Sequence, residues 1–116
     1  MEHGKKKRKF GRETKQRKEL MRGLAESLIL NGKITTTQAK AKSLKTYVEK
    51  VITKSRENKL STVRDLSAKF SPKVTKKLIQ ELGPKFADRS GGYTRIIHTP
   101  RRPSDGSRMA IIEFIN

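Results

Sequence analysis

The first sustained hydrophobic pattern in the chain begins at residue 20 and has helical spacing. Its positions are Leu20, Met21, Leu24, Ala25, Leu28 and Ile29. Side chains at this spacing share one face of an α-helix. Asn31-Gly32 follows, and a glycine at this place commonly ends a helix in the left-handed conformation. The pattern predicts a helix from about Thr14 to Leu30.

A short extended segment and two further helices are predicted next. The β-branched residues of 33–37 favour extended backbone, and a threonine at the end of that segment can cap the following helix. The second helix ends between Arg56 and Lys59, and a shorter third helix carries Val63, Leu66 and Phe70. The inward positions of the second helix are Ala41, Leu44, Val48, Val51, Ile52 and Ser55.

Ser71-Pro72 predicts the start of another helix, because a capping hydroxyl precedes a proline at the first helical position. Its buried stripe is Val74, Leu78, Ile79 and Leu82. Gly83-Pro84 directly follows this stripe and predicts that the helix ends there.

The C-terminal third of the chain predicts a β-hairpin on which the helices pack. Ser90-Gly91-Gly92 is a turn that leads into a strand over 93–98, and a loop with two prolines separates it from a second strand over 108–115. Apolar residues fall on both faces of the second strand, which allows both faces of the sheet to be covered. Phe70, Phe86 and Phe114 are predicted to belong to the core.

The net charge of +18, from 29 basic and 11 acidic residues among 116, points to a polyanionic partner. With 32% hydrophobic residues, one small core is expected.

The absence of cysteine excludes disulfides and zinc fingers. No apolar run is long enough to span a membrane, and Arg22 and Glu26 interrupt any signal peptide. We therefore expect no membrane partner.

The first 19 residues have nine basic side chains and only Met1 and Phe10 as large apolar ones. Such a segment buries too little to offset its ordering entropy. We expect an extended basic arm over 1–12 and a single small domain over 13–116.

Catalytic chemistry finds no support in the sequence. His98, Ser104 and Asp105 are the residue types of a hydrolytic triad, but they are neighbours along a turn, and a triad is defined by geometry. Gly32-Lys33 and Gly91-Gly92 lack the further glycines of nucleotide-binding loops. We expect no enzyme, no cofactor, no metal site and no small-molecule substrate.

Clusters of basic side chains are the remaining feature of the sequence that indicates a function. Basic side chains occur in the arm and at Arg17 and Lys18, around the threonine segment at Lys33, Lys40 and Lys42, and in the hairpin at Arg95, Arg101 and Arg102. Nucleic acid is the partner that such clusters favour. The hydroxyls of Thr35, Thr36 and Thr37 either bind phosphate or 2′-hydroxyl oxygens or cap a helix, and Tyr93 either meets a ribose or base or caps the sheet edge.

Charge alone does not distinguish RNA from DNA. The sequence has no helix-turn-helix spacing and no dimerising heptads, which disfavours an architectural DNA-binding protein. With 5% aromatic residues and no tryptophan, a stacking platform for single-stranded bases is also disfavoured.

Four segments resemble the bacterial-type large-subunit ribosomal protein seventeen family, and the resemblance covers essentially the whole chain. They are Met1-Glu2-His3-Gly4 with the basic arm, Ile34-Thr35-Thr36-Thr37-Gln38-Ala39-Lys40-Ala41-Lys42, Val48-Glu49-Lys50-Val51-Ile52-Thr53, and Asp88-Arg89-Ser90-Gly91-Gly92-Tyr93-Thr94-Arg95-Ile96. The family commonly has arginine at the second position, where this chain has Glu2. A carboxylate there is unfavourable beside phosphates.

The resemblance implies a two-layer α/β (α+β) fold, in which three to four helices pack on a small sheet of two or three strands with an extended basic N-terminal arm. It makes residues 33–37 a third strand beside the hairpin. It implies a structural protein of the large subunit of a bacterial, cytoplasmic ribosome, with ribosomal RNA and neighbouring ribosomal proteins as partners. The RNA contacts that it implies are His3, Lys5, Lys6, Lys7, Arg8, Lys9, Arg12, Thr35, Thr36, Thr37, Lys40, Lys42, Tyr93 and Arg95.

Overall fold

The fold alternates helices and strands and closes with a hairpin. A computed structural model describes residues 2–57 and 59–115, with side chains from residue 14 onward. The elements in chain order are α1 (Glu2–Asn31), β1 (Lys33–Thr37), α2 (Gln38–Ser55), α3 (Leu60–Lys69), α4 (Pro72–Lys77), a π-helical segment (Leu78–Leu82), α5 (Gly83–Lys85), β2 (Thr94–Thr99) and β3 (Met109–Phe114).

Helix α1 ends at the predicted terminator. Gly32 has a φ of 83°, and its amide donates to the carbonyl of Leu28 at 2.7 Å, as in a left-handed helix end. The helix begins at Glu2, earlier than the start near Thr14 that the hydrophobic stripe predicted. Residues 2–12, predicted to form an extended arm, thus have helical backbone. Their side chains lie outside the described part of the chain, so the RNA contacts expected of them stay predictions.

Two hydroxyl caps predicted from the sequence are confirmed. The side chain of Thr37 accepts a hydrogen bond from the Lys40 amide at 3.4 Å and starts α2. The side chain of Ser71 accepts one from the Val74 amide at 3.4 Å and starts α4, with Pro72 in the first turn. Each cap satisfies an amide that has no partner within its helix.

The predicted helix end at Gly83-Pro84 is wrong, because the helical run continues to Lys85. A proline inside an α-helix lacks an amide donor and clashes with the carbonyl four residues earlier. Here the preceding turn is π-helical, and the Gly83 amide donates to Leu78 five residues back. We attribute the continuation of the helical run through Pro84 to this wider turn.

The sheet has three antiparallel strands in the order β1-β3-β2, which confirms the hairpin and the third strand. Ile34 and Ile96 both lie opposite Ile112 on the central strand. The strand β3 is buried at every second residue, Ala110, Ile112 and Phe114. These side chains face the helices and join the core formed by α1, α2 and the Pro72–Lys85 run.

The other face of the sheet carries no helix in the described part of the chain, so the apolar pattern that allowed both faces to be covered is met by helices on one face only. Alternation along the strands places nine side chains on this side, which we call the open face. They are Lys33, Thr35 and Thr37 of β1, Met109, Ile111 and Glu113 of β3, and Arg95, Ile97 and Thr99 of β2. The result is the predicted two-layer α+β fold with helices on one side only.

Candidate nucleic-acid interface

Three rows of side chains cross the open face. The strand register aligns Lys33 with Glu113 and Arg95, Thr35 with Ile111 and Ile97, and Thr37 with Met109 and Thr99. Thr35 is exposed, and Ile97 keeps 45% of its surface accessible. The face therefore offers a hydroxyl and short apolar side chains at its centre, with charges at one end.

The charged row contains an ion pair that limits the available positive charge. Arg95 Nε lies 2.7 Å from Glu113 Oε1, and the Arg95 side chain remains 56% exposed. Lys33 lies opposite the same carboxylate on the other edge strand and is exposed. Two cations thus flank one carboxylate, and the row keeps a net positive charge.

The loop between β2 and β3 is held by its own hydrogen bonds. The Arg102 amide donates to the Ser107 carbonyl at 2.9 Å, and the Gly106 amide donates to the Arg102 carbonyl at 2.7 Å. Gly106 has a φ of 70°, a backbone conformation that glycine adopts most readily. A loop organised in this way presents its arginines from a defined backbone.

Both predicted arginines of this loop are exposed, and Arg102 reaches the open face. Arg101 donates to the Gly106 carbonyl at 3.2 Å. Arg102 pairs with Asp105 at 3.3 Å and also donates to Met109 Sδ at 3.3 Å. Hydrogen bonds from the Ser107 backbone and side chain hold the pKa of Asp105 below its ordinary value, so this carboxylate is ionised at neutral pH.

The first turns of α2 lie beside this loop. The Gln38 amide donates to the Arg108 carbonyl at 2.9 Å, which ties the start of α2 to the end of the loop. Lys40 and Lys42 are exposed there, and the first turn of α2 contains no acidic residue. The helix dipole adds positive potential at such an end. The structure thus brings the threonine segment and the loop arginines to one end of the sheet.

Two predicted RNA contacts are buried and do not reach the surface. Thr36 is 8% exposed and faces the helices, and Tyr93 is fully buried. The Tyr93 ring lies 5.1 Å from that of Phe86. Thr37 caps α2, so of the three threonines only Thr35 is an exposed residue. We leave Thr36 and Tyr93 out of the interface.

The remaining predicted contacts lie elsewhere. Arg17 and Lys18 are exposed on α1, and Lys18 lines a cleft with Tyr47 and Lys69 rather than the open face. The side chains of His3, Lys5, Lys6, Lys7, Arg8, Lys9 and Arg12 lie outside the described residues.

Sequence reasoning missed Arg108, an exposed cation directly before β3. The strand pattern over 108–115 includes Arg108 as its first residue. The signal that could have identified it is its place at the end of a loop that already contains two arginines. Tyr47 was also missed, since it lies beside the buried stripe of α2 and not on it.

No reactive centre emerges from the described residues. Asp105 is engaged by Arg102 and Ser107, and no group of three potential metal-binding side chains occurs among the residues whose side chains are described. None of the helices in the described part of the chain combines the length and hydropathy that crossing a membrane requires.

Comparison with known proteins identifies the family. The family model for ribosomal protein L17 matches residues 20–115. The large ribosomal subunit protein bL17 of Gemmatimonas aurantiaca is 51% identical over 117 residues, covering 99% of this chain and 98% of the relative. The bL17 protein of Nautilia profundicola is 49% identical and covers 93% of this chain and 93% of its own length. That of Wolinella succinogenes is 45% identical and covers 99% of this chain and 100% of its own length. The chain therefore belongs to the ribosomal protein L17 family, which is a family of structural proteins and not of enzymes.

Proposed function

We propose that the chain is a structural component of the large subunit of a bacterial, cytoplasmic ribosome. On this proposal it binds ribosomal RNA through the end of the sheet where Lys40, Arg101, Arg102 and Arg108 converge. The observation that carries the proposal is the position of these cations at one end of the sheet, beside its uncovered face, in a chain whose relatives are named large-subunit ribosomal proteins. Neighbouring ribosomal proteins are further partners.

The chemistry of this surface suits a phosphate backbone. Guanidinium groups bind phosphate oxygens through paired hydrogen bonds, and each phosphate contact releases condensed counterions. Thr35 offers a hydroxyl on the open face, which can pair with the 2′-hydroxyl groups that line the wide minor groove of RNA. The surface thus combines charge attraction with a feature that discriminates RNA from DNA.

The basic arm over 1–12 is a second part of the proposal. Its sequence is rich in cations and has only Met1 and Phe10 as large apolar residues, so we expect its binding to be governed by charge density. Deleting residues 1–12 should weaken binding to bacterial large-subunit RNA more than any single substitution in the hairpin. Equal affinities of the truncated and full-length proteins would contradict a role for the arm.

The sheet interface is tested with a charge-matched pair of double variants. Arg101→Gln/Arg102→Gln removes two cations from the loop, and Lys73→Gln/Lys76→Gln removes two exposed cations from α4. Affinity for large-subunit RNA is measured over a salt series. The loop variant should lower the slope of log affinity against log salt by about 0.7 to 0.9 for each lost phosphate contact, and the α4 variant should not.

Competition separates the two polyanions. Excess duplex DNA should displace the protein from large-subunit RNA only weakly, because DNA lacks the 2′-hydroxyl groups. Equal competition by DNA would favour an architectural DNA-binding protein. Loss of affinity in the α4 variant equal to that in the loop variant would show that binding follows net charge and not this surface.

A further inference from the structure

A second candidate surface lies among α1, α2 and α3, in the helical layer and not on the open face of the sheet. Two adjoining cavities of about 340 Å³ and 180 Å³ share Tyr47 and Lys69 in their linings. Helix α1 contributes Lys18, Glu19 and Arg22 to the larger cavity. The smaller one has an apolar wall of Val51, Leu66 and Phe70. We call the two together the Tyr47 cleft.

Cations predominate around the Tyr47 cleft. Its basic residues are Lys18, Arg22, Lys50, Lys54 and Lys69, and its acidic residues are Glu19 and Asp65. Asp65 is already paired with Lys54, whose Nζ lies 2.8 Å from Asp65 Oδ2. The remaining side chains give the cleft a net positive charge, so an anionic group is the occupant that it attracts.

Tyr47 gives the cleft a polar and aromatic element at its junction. Its side chain is half-buried and packs against the core. Within the part of the chain that the structure describes, its hydroxyl has no hydrogen-bond partner. Burial raises the pKa of Tyr47, while Arg22 lowers it and Glu26 raises it by smaller amounts. The hydroxyl is therefore protonated at neutral pH and available as a donor.

These features together fit one nucleotide better than a helical segment of RNA. The space in these half-open pockets suits one small group, whereas a duplex needs a longer contact surface. An aromatic ring beside cations matches a base or ribose with its phosphates, because bases contact aromatic side chains and phosphates contact lysine and arginine. An acidic peptide would satisfy the charge and leave the ring without a matching partner.

We propose that the Tyr47 cleft binds an unpaired nucleotide of the ribosomal RNA, with Tyr47 against its base or ribose and Lys18, Arg22 and Lys69 toward its phosphates. This inference rests on the proposed function, since it assumes that the RNA is the partner. The open face and the cleft lie on opposite layers. The protein would then hold two separate RNA segments together.

The test measures binding of the full-length protein to purified bacterial large-subunit RNA. Tyr47→Ala should weaken binding by about tenfold, the scale of one base–aromatic contact. Because Tyr47 packs against the core, Tyr47→Ala can also unfold the protein. Tyr47→Phe and Lys69→Gln are therefore measured in parallel, with Lys73→Gln on α4 as the charge-matched control for Lys69→Gln.

Ultraviolet crosslinking and chemical probing of unpaired bases identify the RNA nucleotide that contacts the Tyr47 cleft. Support requires a crosslink from Tyr47 to an unpaired nucleotide, and protection of that nucleotide that Lys69→Gln weakens and Lys73→Gln does not. Wild-type affinity and an unchanged protection pattern in Tyr47→Phe and Lys69→Gln would overturn the proposal. The proposed function would survive, because the wild-type protein still binds RNA.

Two further results separate the remaining explanations. If the wild-type protein does not bind large-subunit RNA, the proposed function fails and the cleft proposal fails with it. If the cleft variants bind RNA normally but are not incorporated into reconstituted large subunits, the occupant is an acidic segment of a neighbouring protein. That result overturns the nucleotide proposal alone.

Discussion

The guanidinium of Arg56 donates to the hydroxyl of Tyr93 at 2.8 Å, which joins the end of α2 to the residue that precedes β2. The same guanidinium donates to the Ala87 carbonyl at 2.8 Å. The Tyr93 hydroxyl also lies 3.1 Å from the Arg89 carbonyl, to which it donates, and 3.1 Å from the Thr53 hydroxyl. These bonds fix the connection over 87–92, which has no regular secondary structure of its own beyond turns and bends.

Tyr93→Phe should therefore destabilise the fold without removing an RNA contact. Removing the hydroxyl leaves Nη1 of Arg56 and the Arg89 carbonyl without these hydrogen bonds, at a cost of about 1–3 kcal/mol. Urea unfolding measures the free-energy change, and a binding assay measures affinity for large-subunit RNA. For the stability measurement alone, Tyr47→Phe is the matched control, because the Tyr47 hydroxyl has no partner among the described residues and its loss should change stability little. A loss of RNA affinity in Tyr93→Phe at unchanged stability would contradict the structural role.

Gly83 marks a close crossing of two helices and not a helix end. A Cβ at this position would lie 2.7 Å from the Ser55 carbonyl oxygen and 3.1 Å from that of Leu78. Both are backbone atoms and cannot rotate away. Gly83→Ala should destabilise the protein by about 1–3 kcal/mol, the range of overpacked substitutions.

The control for Gly83→Ala is Gly23→Ala on α1. A Cβ at Gly23 would meet nothing within 4 Å, and alanine is favoured over glycine inside a helix by about 1 kcal/mol. This substitution should raise the midpoint of thermal unfolding, whereas Gly83→Ala should lower it. A rise for both would show that the helices can separate at no cost.

The sequence predicted those elements whose signals are local. Helical stripes, the hydroxyl caps at Thr37 and Ser71, and the terminator at Gly32 each depend on residues a few positions apart. The sequence did not predict that the helical run continues through Pro84, because a Gly-Pro pair looks the same in a sequence at a helix end and after a π-helical turn. The tight approach of Gly83 to Ser55 is a tertiary contact that local sequence does not encode.

The sequence also predicted only part of the candidate site, because local residue type indicates which side chains are charged but not which ones the tertiary packing buries. Those candidate cations whose side chains are described lie at the surface, since lysine and arginine are rarely buried. Burial of Tyr93 and Thr36 was not predicted, because it depends on which face of a short strand the helices cover. The position of β1 beside the hairpin followed from the family resemblance, and its pairing with β3 was not predicted, since five residues of strand propensity do not specify their pairing partner.

Asp105 should titrate below the ordinary range of an aspartate. The Ser107 backbone and side chain hydrogen bonds favour its ionised form and lower its pKa. Because the folded-state pKa is the lower one, the contribution of Asp105 to loop stability is present above the unfolded pKa and is lost as the pH falls through the folded pKa. An NMR titration of the Asp105 carboxyl and the Ser107 amide measures this. A carboxyl that titrates at the ordinary value, with no change at the Ser107 amide, would contradict the loop structure.

Glu113→Gln should strengthen RNA binding. The Glu113 carboxylate lies 2.7 Å from Arg95 Nε and opposite Lys33, and it therefore neutralises part of the charge at the end of the open face that lies away from the loop arginines. Glutamine keeps the size of the side chain and removes the negative charge, so that Arg95 is free to bind phosphate. Affinity for large-subunit RNA should rise, and the slope against salt should steepen by about 0.7 to 0.9 if Arg95 gains one phosphate contact. Since Arg95 is largely exposed, loss of the ion pair should cost at most about 1 kcal/mol of stability.

Glu81→Gln is the matched control, because Glu81 is an exposed residue that lies before Gly83 on the helical layer. An equal gain in affinity from Glu81→Gln would assign the effect to net charge, whereas a gain restricted to Glu113→Gln would place the RNA on the open face.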